Sequence, residues 1–77
     1  MKHRSRLAIS AEVLRYALNG EKKTRLMYQA NLSYDSVKEC LAMLTSNGLL
    51  TFNAESDTYK TTRKGRTFLM KYDTLSL

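Results

Sequence analysis

In 77 residues the sequence has one cysteine, one histidine, three glycines, no proline and no tryptophan. Each shortage excludes something. A single thiol, Cys40, can close no intrachain disulfide and cannot build a sulfur-held metal cluster. His3 stands alone near the N-terminus and reads as an idle, solvated side chain. No apolar run approaches the ~20 residues of a membrane span, and the basic opening MKHRSRLAIS lacks the apolar core of a signal peptide. A cytoplasmic, reducing setting is therefore expected. Paired carboxylates, a nucleophile beside a base, metal-ligand spacing and a glycine-rich phosphate loop are all missing, so neither an enzyme nor a cofactor is expected.

What is present is an ordinary globular composition, 43% hydrophobic and 26% charged. The length allows one domain, residues 1–77, with a small core near the limit of independent stability, which favours oligomerisation. The net charge of +6 is unevenly spread. Residues 1–25 carry seven Lys/Arg against two acids, residues 26–57 one against four, and residues 58–77 five against one. Two basic ends around an acidic middle point to a polyanionic partner.

The most informative stretch runs from Thr24 to Gly48. Thr24 is a possible cap for a short helix over Arg25–Ala30, a run without a breaker. Asn31, Leu32 and Ser33 interrupt it: asparagine tolerates left-handed backbone, Leu32 can plug the space between two helices, and Ser33 is a strong N-cap residue. Val37, Leu41 and Leu44 then recur at helical spacing, and Asn47-Gly48 supplies the stop. The spacing predicts a helix-turn-helix pair. Ahead of it, Leu7, Ala11, Leu14 and Leu18 predict a helix from Arg6 to about Leu18, with Glu21-Lys22-Lys23 as connector. Behind it, Leu49–Asn53 and Thr58–Thr61 alternate as strands around the polar turn 54–57, predicting a hairpin. Thr62 can cap a last helix, residues 62–77, with Gly65, Phe68, Leu69, Tyr72 and Leu75 toward one side. A glycine inside a helix predicts a close approach by another segment. The fold class expected is α+β, mainly α: three helices, a β-hairpin wing and a C-terminal helix.

The runs TRLMYQANLSY, CLAMLTSNGLL and YKTTRKGRTFL, covering Thr24 to Leu69, resemble the small archaeal-type winged-helix regulators. The resemblance implies a DNA-binding protein whose helix 33–47 enters the major groove, flanked by the hairpin. It also implies that the last helix, with Phe68, Leu69, Tyr72 and Leu75, forms a homodimer. Duplex DNA is then the expected partner. Lys22, Lys23, Arg25, Lys60 and Arg63 are the candidates for phosphate, because they crowd helix starts and the hairpin's return strand. Ser33, Tyr34, Ser36 and Lys38 are the candidates for base edges. Asp35 and Glu39 leave that helix nearly neutral, and this feature favours the alternative, a winged helix that docks a protein rather than reading DNA. RNA binding ranks last, since no aromatic-rich sheet face is apparent.

Overall fold

A computed structural model describes residues 5–75. His3 and the last two positions of the expected C-terminal helix lie outside the described residues. The chain runs α1 (Arg6–Tyr16), α2 (Lys23–Gln29), α3 (Tyr34–Ser46), β1 (Leu50–Asn53), β2 (Thr58–Thr61) and α4 (Arg63–Leu75). This is the winged-helix order expected.

The punctuation is chemical. Asn31 takes the left-handed conformation, φ 55°, and ends α2 as Leu32 N–H donates to Met27 O and Asn31 N–H to Tyr28 O. Gly48, φ 74°, ends α3 with the same pair of bonds, Leu49 N–H to Leu44 O and Gly48 N–H to Thr45 O. Both are Schellman caps, which satisfy carbonyls that a helix end leaves open. Ser33 caps α3, its hydroxyl accepting from Ser36 N–H at 3.1 Å, and Thr62 caps α4 by accepting from Gly65 N–H at 3.0 Å. In the hairpin turn, Asn53 Oδ1 accepts from Glu55 and Ser56 N–H, a local bond typical of asparagine in turns.

Three local expectations are corrected. The cap of α2 is Lys22, with no side-chain capping bond, rather than Thr24. The cause is Glu21, which bridges Tyr59 through two backbone bonds of 2.8 Å and keeps the chain extended up to Lys22. The connector is therefore a third, one-residue edge to the hairpin. Helix α1 stops at Tyr16 rather than Leu18, and Leu7 is 51% exposed whereas Ser10, Ala11, Val13, Leu14 and Ala17 are buried.

One core joins the elements: Ala11, Val13, Leu14 and Ala17 of α1, Leu26 and Ala30, then Val37, Leu41 and Leu44 of α3, with Leu50 and Leu69. Thr61 fastens β2 beneath α1, its hydroxyl donating to Leu14 O at 2.6 Å and its N–H to Ala17 O at 3.0 Å. A buried hydroxyl thus meets a helix-end carbonyl that needs a donor. Helix α4 lies against α1 and is tied to it by Arg15 and Asp73, two parallel N–H···O contacts of 3.1 and 2.8 Å across 58 positions of sequence. The Arg15 guanidinium holds the Asp73 carboxyl below its ordinary range, and Asp73 in turn raises Arg15.

Candidate nucleic-acid interface

Helix α3 is held by Val37, Leu41 and Leu44, so its other sides face out. Turning 100° per residue from that buried stripe places Asp35, Glu39 and Ser46, all exposed, on the outermost ridge. Tyr34, Lys38, Ala42 and Thr45 form the flank toward the hairpin. Ser36, Cys40 and Met43 form the flank toward α1, where with Arg6, Ile9, Ser10, Leu32 and Glu39 they line a hollow of about 210 Å³.

The start of α2 meets the start of α3 through Tyr34. Lys23 Nζ stands 5.0 Å from the Tyr34 ring centre and 3.5 Å from its hydroxyl, and Lys38 Nζ is 5.4 Å from the same ring. Two ammonium groups converging on one half-exposed tyrosine are attracted by its ring face and repel each other. A nearby anion is attracted by both. Lys22, exposed, continues the basic edge, and Arg25 is shared loosely with Glu21 at 3.9 Å.

The structure brings together Lys22, Lys23, Tyr34 and Lys38, and separates the other candidates from them. Ser33 is occupied as a cap, and its hydroxyl also donates to the Ser36 hydroxyl at 2.9 Å, so Ser36 points along the α1 flank, opposite Lys38. Lys60 pairs with Thr51 across the hairpin, on the face away from Leu50, Thr61, Phe52 and Tyr59. Arg63, Lys64 and Arg66 begin α4 at the far end of α3, where Thr62 Oγ1 donates to Gly48 O. The Lys64 stem lies beside Gly48, at 3.8 Å from the place of a Cβ there. That position sets a cation at the negative end of the α3 dipole, a favourable placement that offsets its unfavourable one at the start of α4.

Of the residues expected at a dimer contact, Leu69 is buried in the chain's own core, and Phe68 and Tyr72 pack against it. Leu75 is 83% exposed, and Met70, on the same shallow surface as Lys71, Thr74 and Leu75, is 67% exposed. The unpartnered apolar surface of α4 is thus Met70 and Leu75. Cys40 is half-buried, and burial pushes its thiol up while a hydrogen bond with Ser10 pulls it the other way. The thiol, not the thiolate, prevails, as suits a packing residue.

Sequence reasoning missed an aromatic pair. Phe52 and Tyr59 face each other across the hairpin, ring centres 4.9 Å apart and tilted by 47°. With Lys23, Lys38, Leu41, Ala42, Thr45 and Ser46 they line a groove of about 540 Å³ between α3 and the hairpin. The strand register, with Phe52 and Tyr59 on matching positions of two alternating runs, was the available signal.

Among the described residues no cluster of His, Cys, Asp or Glu is arranged to hold a metal, and no helix is long and apolar enough to cross a membrane. No curated protein sequence matches the chain. Among solved structures it is similar to Sso10a-2, a DNA-binding protein from Sulfolobus solfataricus, with a TM-score of 0.86 and 26% identity over 94% of this chain and 78% of that one. The sequence matches the winged helix-turn-helix family over residues 3–77. With that match spanning the whole described fold, the chain belongs to the winged helix-turn-helix family.

Proposed function

We propose that this is a cytoplasmic, non-enzymatic DNA-binding protein, a transcriptional regulator or chromosome-associated factor, that offers α3 to the major groove of duplex DNA. The observation that carries the reading is the convergence of Lys23 and Lys38 on Tyr34, beside Lys22, at the junction of the helix pair. In helix-turn-helix docking that junction lies where the recognition helix enters the groove and the preceding helix meets the backbone. The similar Sso10a-2 is itself a DNA-binding protein. Lys22, Lys23 and Arg25 then serve phosphate on one side, Arg63 and its neighbours serve it on the other, and Lys60 reaches it only from the outer face of the hairpin.

Within α3, Lys38 and Tyr34 are the side chains placed to reach base edges, while Ser33 and Ser36 hold the helix start. Electrophoretic titration of a preferred duplex against random competitor tests this. Lys38→Ala should narrow the gap between the two by about ten-fold or more, the size of one lost base contact. Ser36→Ala should leave the gap in place, and Asp35→Ala should tighten binding to every duplex by removing an acid from the outer ridge. If none of the three changes DNA binding, α3 does not face DNA, and the protein-docking reading of the same surface takes over.

Two copies joined through Met70 and Leu75 would present two α3 helices to successive half-sites. Wild-type chain should sediment as a dimer at about tens of micromolar, a range where a small apolar contact of moderate affinity is filled. Met70→Glu with Leu75→Glu should be monomeric and fully folded by circular dichroism, since both side chains lie outside the core, with a melting temperature that no longer depends on protein concentration. A wild-type monomer would remove the dimer from the proposal.

A further inference from the structure

We propose that the groove between α3 and the hairpin is a binding site for an unpaired DNA strand, with a base stacked on Phe52 and the strand's phosphates on Lys23 and Lys38. This goes beyond duplex docking, which places no role on Phe52.

Phe52 is 44% exposed on the inner side of a two-stranded hairpin, and its ring adjoins Tyr59. A half-wet phenylalanine there gains little for the fold, since the core is completed by Leu50 and Thr61 further down the same face. On the α3 side the groove is lined by Leu41, Ala42, Thr45 and Ser46, mostly small side chains that leave room for a flat group. Its volume, about 540 Å³, is that of a site for a small ligand. At the rim stand the two ammonium groups that converge on Tyr34. A cationic track beside aromatic faces is how single strands are held without sequence preference: phosphates on the cations, bases on the rings. Charge selects the same occupant. None of the residues lining this groove is acidic, whereas the outermost ridge of α3 carries Asp35 and Glu39. A strand lying in the groove meets cations and no carboxylate among its lining residues, whereas a duplex closing over the ridge must approach Asp35 and Glu39. Asp57 adjoins Phe52 only in the next hollow, with Lys22 and Lys23 beside it.

The chain contains no tryptophan, so Phe52→Trp makes a single reporter that keeps a flat ring at the site. The probes are an oligothymidylate about a dozen nucleotides long, within the span of known single-strand sites, and an abasic oligomer of the same length and charge. Tryptophan emission should be quenched by the thymidylate and not by the abasic strand. By fluorescence anisotropy of labelled probe, wild type and Phe52→Trp should prefer thymidylate over abasic strand by about 5- to 150-fold, the range for one or more stacked bases. Phe52→Leu, which keeps the apolar volume and loses the flat ring, should abolish that preference while duplex affinity stays. Equal affinity for the two strands in the wild type, or a preference that survives in Phe52→Leu, would overturn the site. Absence of duplex binding with the thymidylate preference intact would instead overturn the duplex reading and leave this site standing.

Discussion

Gly65→Ala should be the most damaging single methyl group that can be added to this fold. In an open helix the same change stabilises by up to about 1 kcal/mol, because glycine pays more backbone entropy. Here a Cβ would collide with the carbonyl oxygen of Leu49 and come within 2.6 Å of Thr61 Cγ2. Neither neighbour is free to give. Leu49 O already accepts from Thr62 N–H at 3.0 Å, and Thr61 is pinned by its hydroxyl to Leu14 O. The methyl group must push α4 off the base of the hairpin or break one of those bonds. Overpacking with loss of a hydrogen bond puts the cost at about 2–4 kcal/mol. For a domain of this size that lowers the melting temperature by roughly 10–30 °C. Thermal denaturation followed by circular dichroism measures it, with Lys71→Ala, an exposed site on the same helix, as the neutral control. A Gly65→Ala protein that melts within a few degrees of wild type would show that α4 is free to move at Leu49 and Thr61.

The reason for Gly65 was legible in the sequence; its neighbours were not. Local chemistry read well wherever a residue type has few alternative uses. Val37, Leu41 and Leu44 repeat at helical spacing and are the buried stripe of α3, and Asn31, Ser33, Gly48 and Thr62 do the capping their types favour. Pattern failed where tertiary partners choose among near-equal options. In α1 the apolar positions wrap most of the helix, so period alone could not tell that Ser10 would go inside and Leu7 outside. The Glu21–Tyr59 bridge and the Arg15–Asp73 pair join residues far apart in sequence, and no local signal marks either. Those two links decide much of the candidate site. The bridge fixes the edge from which Lys22 and Lys23 extend, and core packing of Phe68, Leu69 and Tyr72, beside the Arg15–Asp73 pair, leaves Met70 and Leu75 on the surface of α4. The basic clusters were visible as charge, but only the fold shows that Lys23 and Lys38 both approach Tyr34 and that Lys60 turns away.

Affinity for duplex DNA should fall about 10²–10³-fold as monovalent salt rises from about 50 to about 200 mM, the loss for roughly five neutralised phosphates. Five cations on the proposed contact surface would account for that loss. Helix α3, 13 residues long, spans about 20 Å. One basic group, Lys22, Lys23 and Arg25, stands beside its start, and a second, Arg63 and Arg66, at its end. Cations separated by that length can reach the two backbones that border a major groove about 12 Å wide. On that geometry the plot of log K against log salt has a slope of about −4 to −5. The variant Lys22→Ala with Lys23→Ala should lose about two units of it, and Arg63→Ala with Arg66→Ala a similar amount. Lys60→Ala, on the outer face of the hairpin, should change the slope least. The Tyr34 ring refines the comparison. With Lys23 and Lys38 both near that ring, Lys23→Ala alone should lose about one unit of slope, half of the double change at the α2 start. A slope that responds to the α2 variant and ignores the α4 variant would place the duplex along one end of α3 only. In that case Lys64 beside Gly48 answers the helix dipole, and the second cluster has no nucleic-acid role. A slope near zero in the wild type would mean that the two basic ends do not meet phosphate at all, and that this winged helix binds something other than duplex DNA.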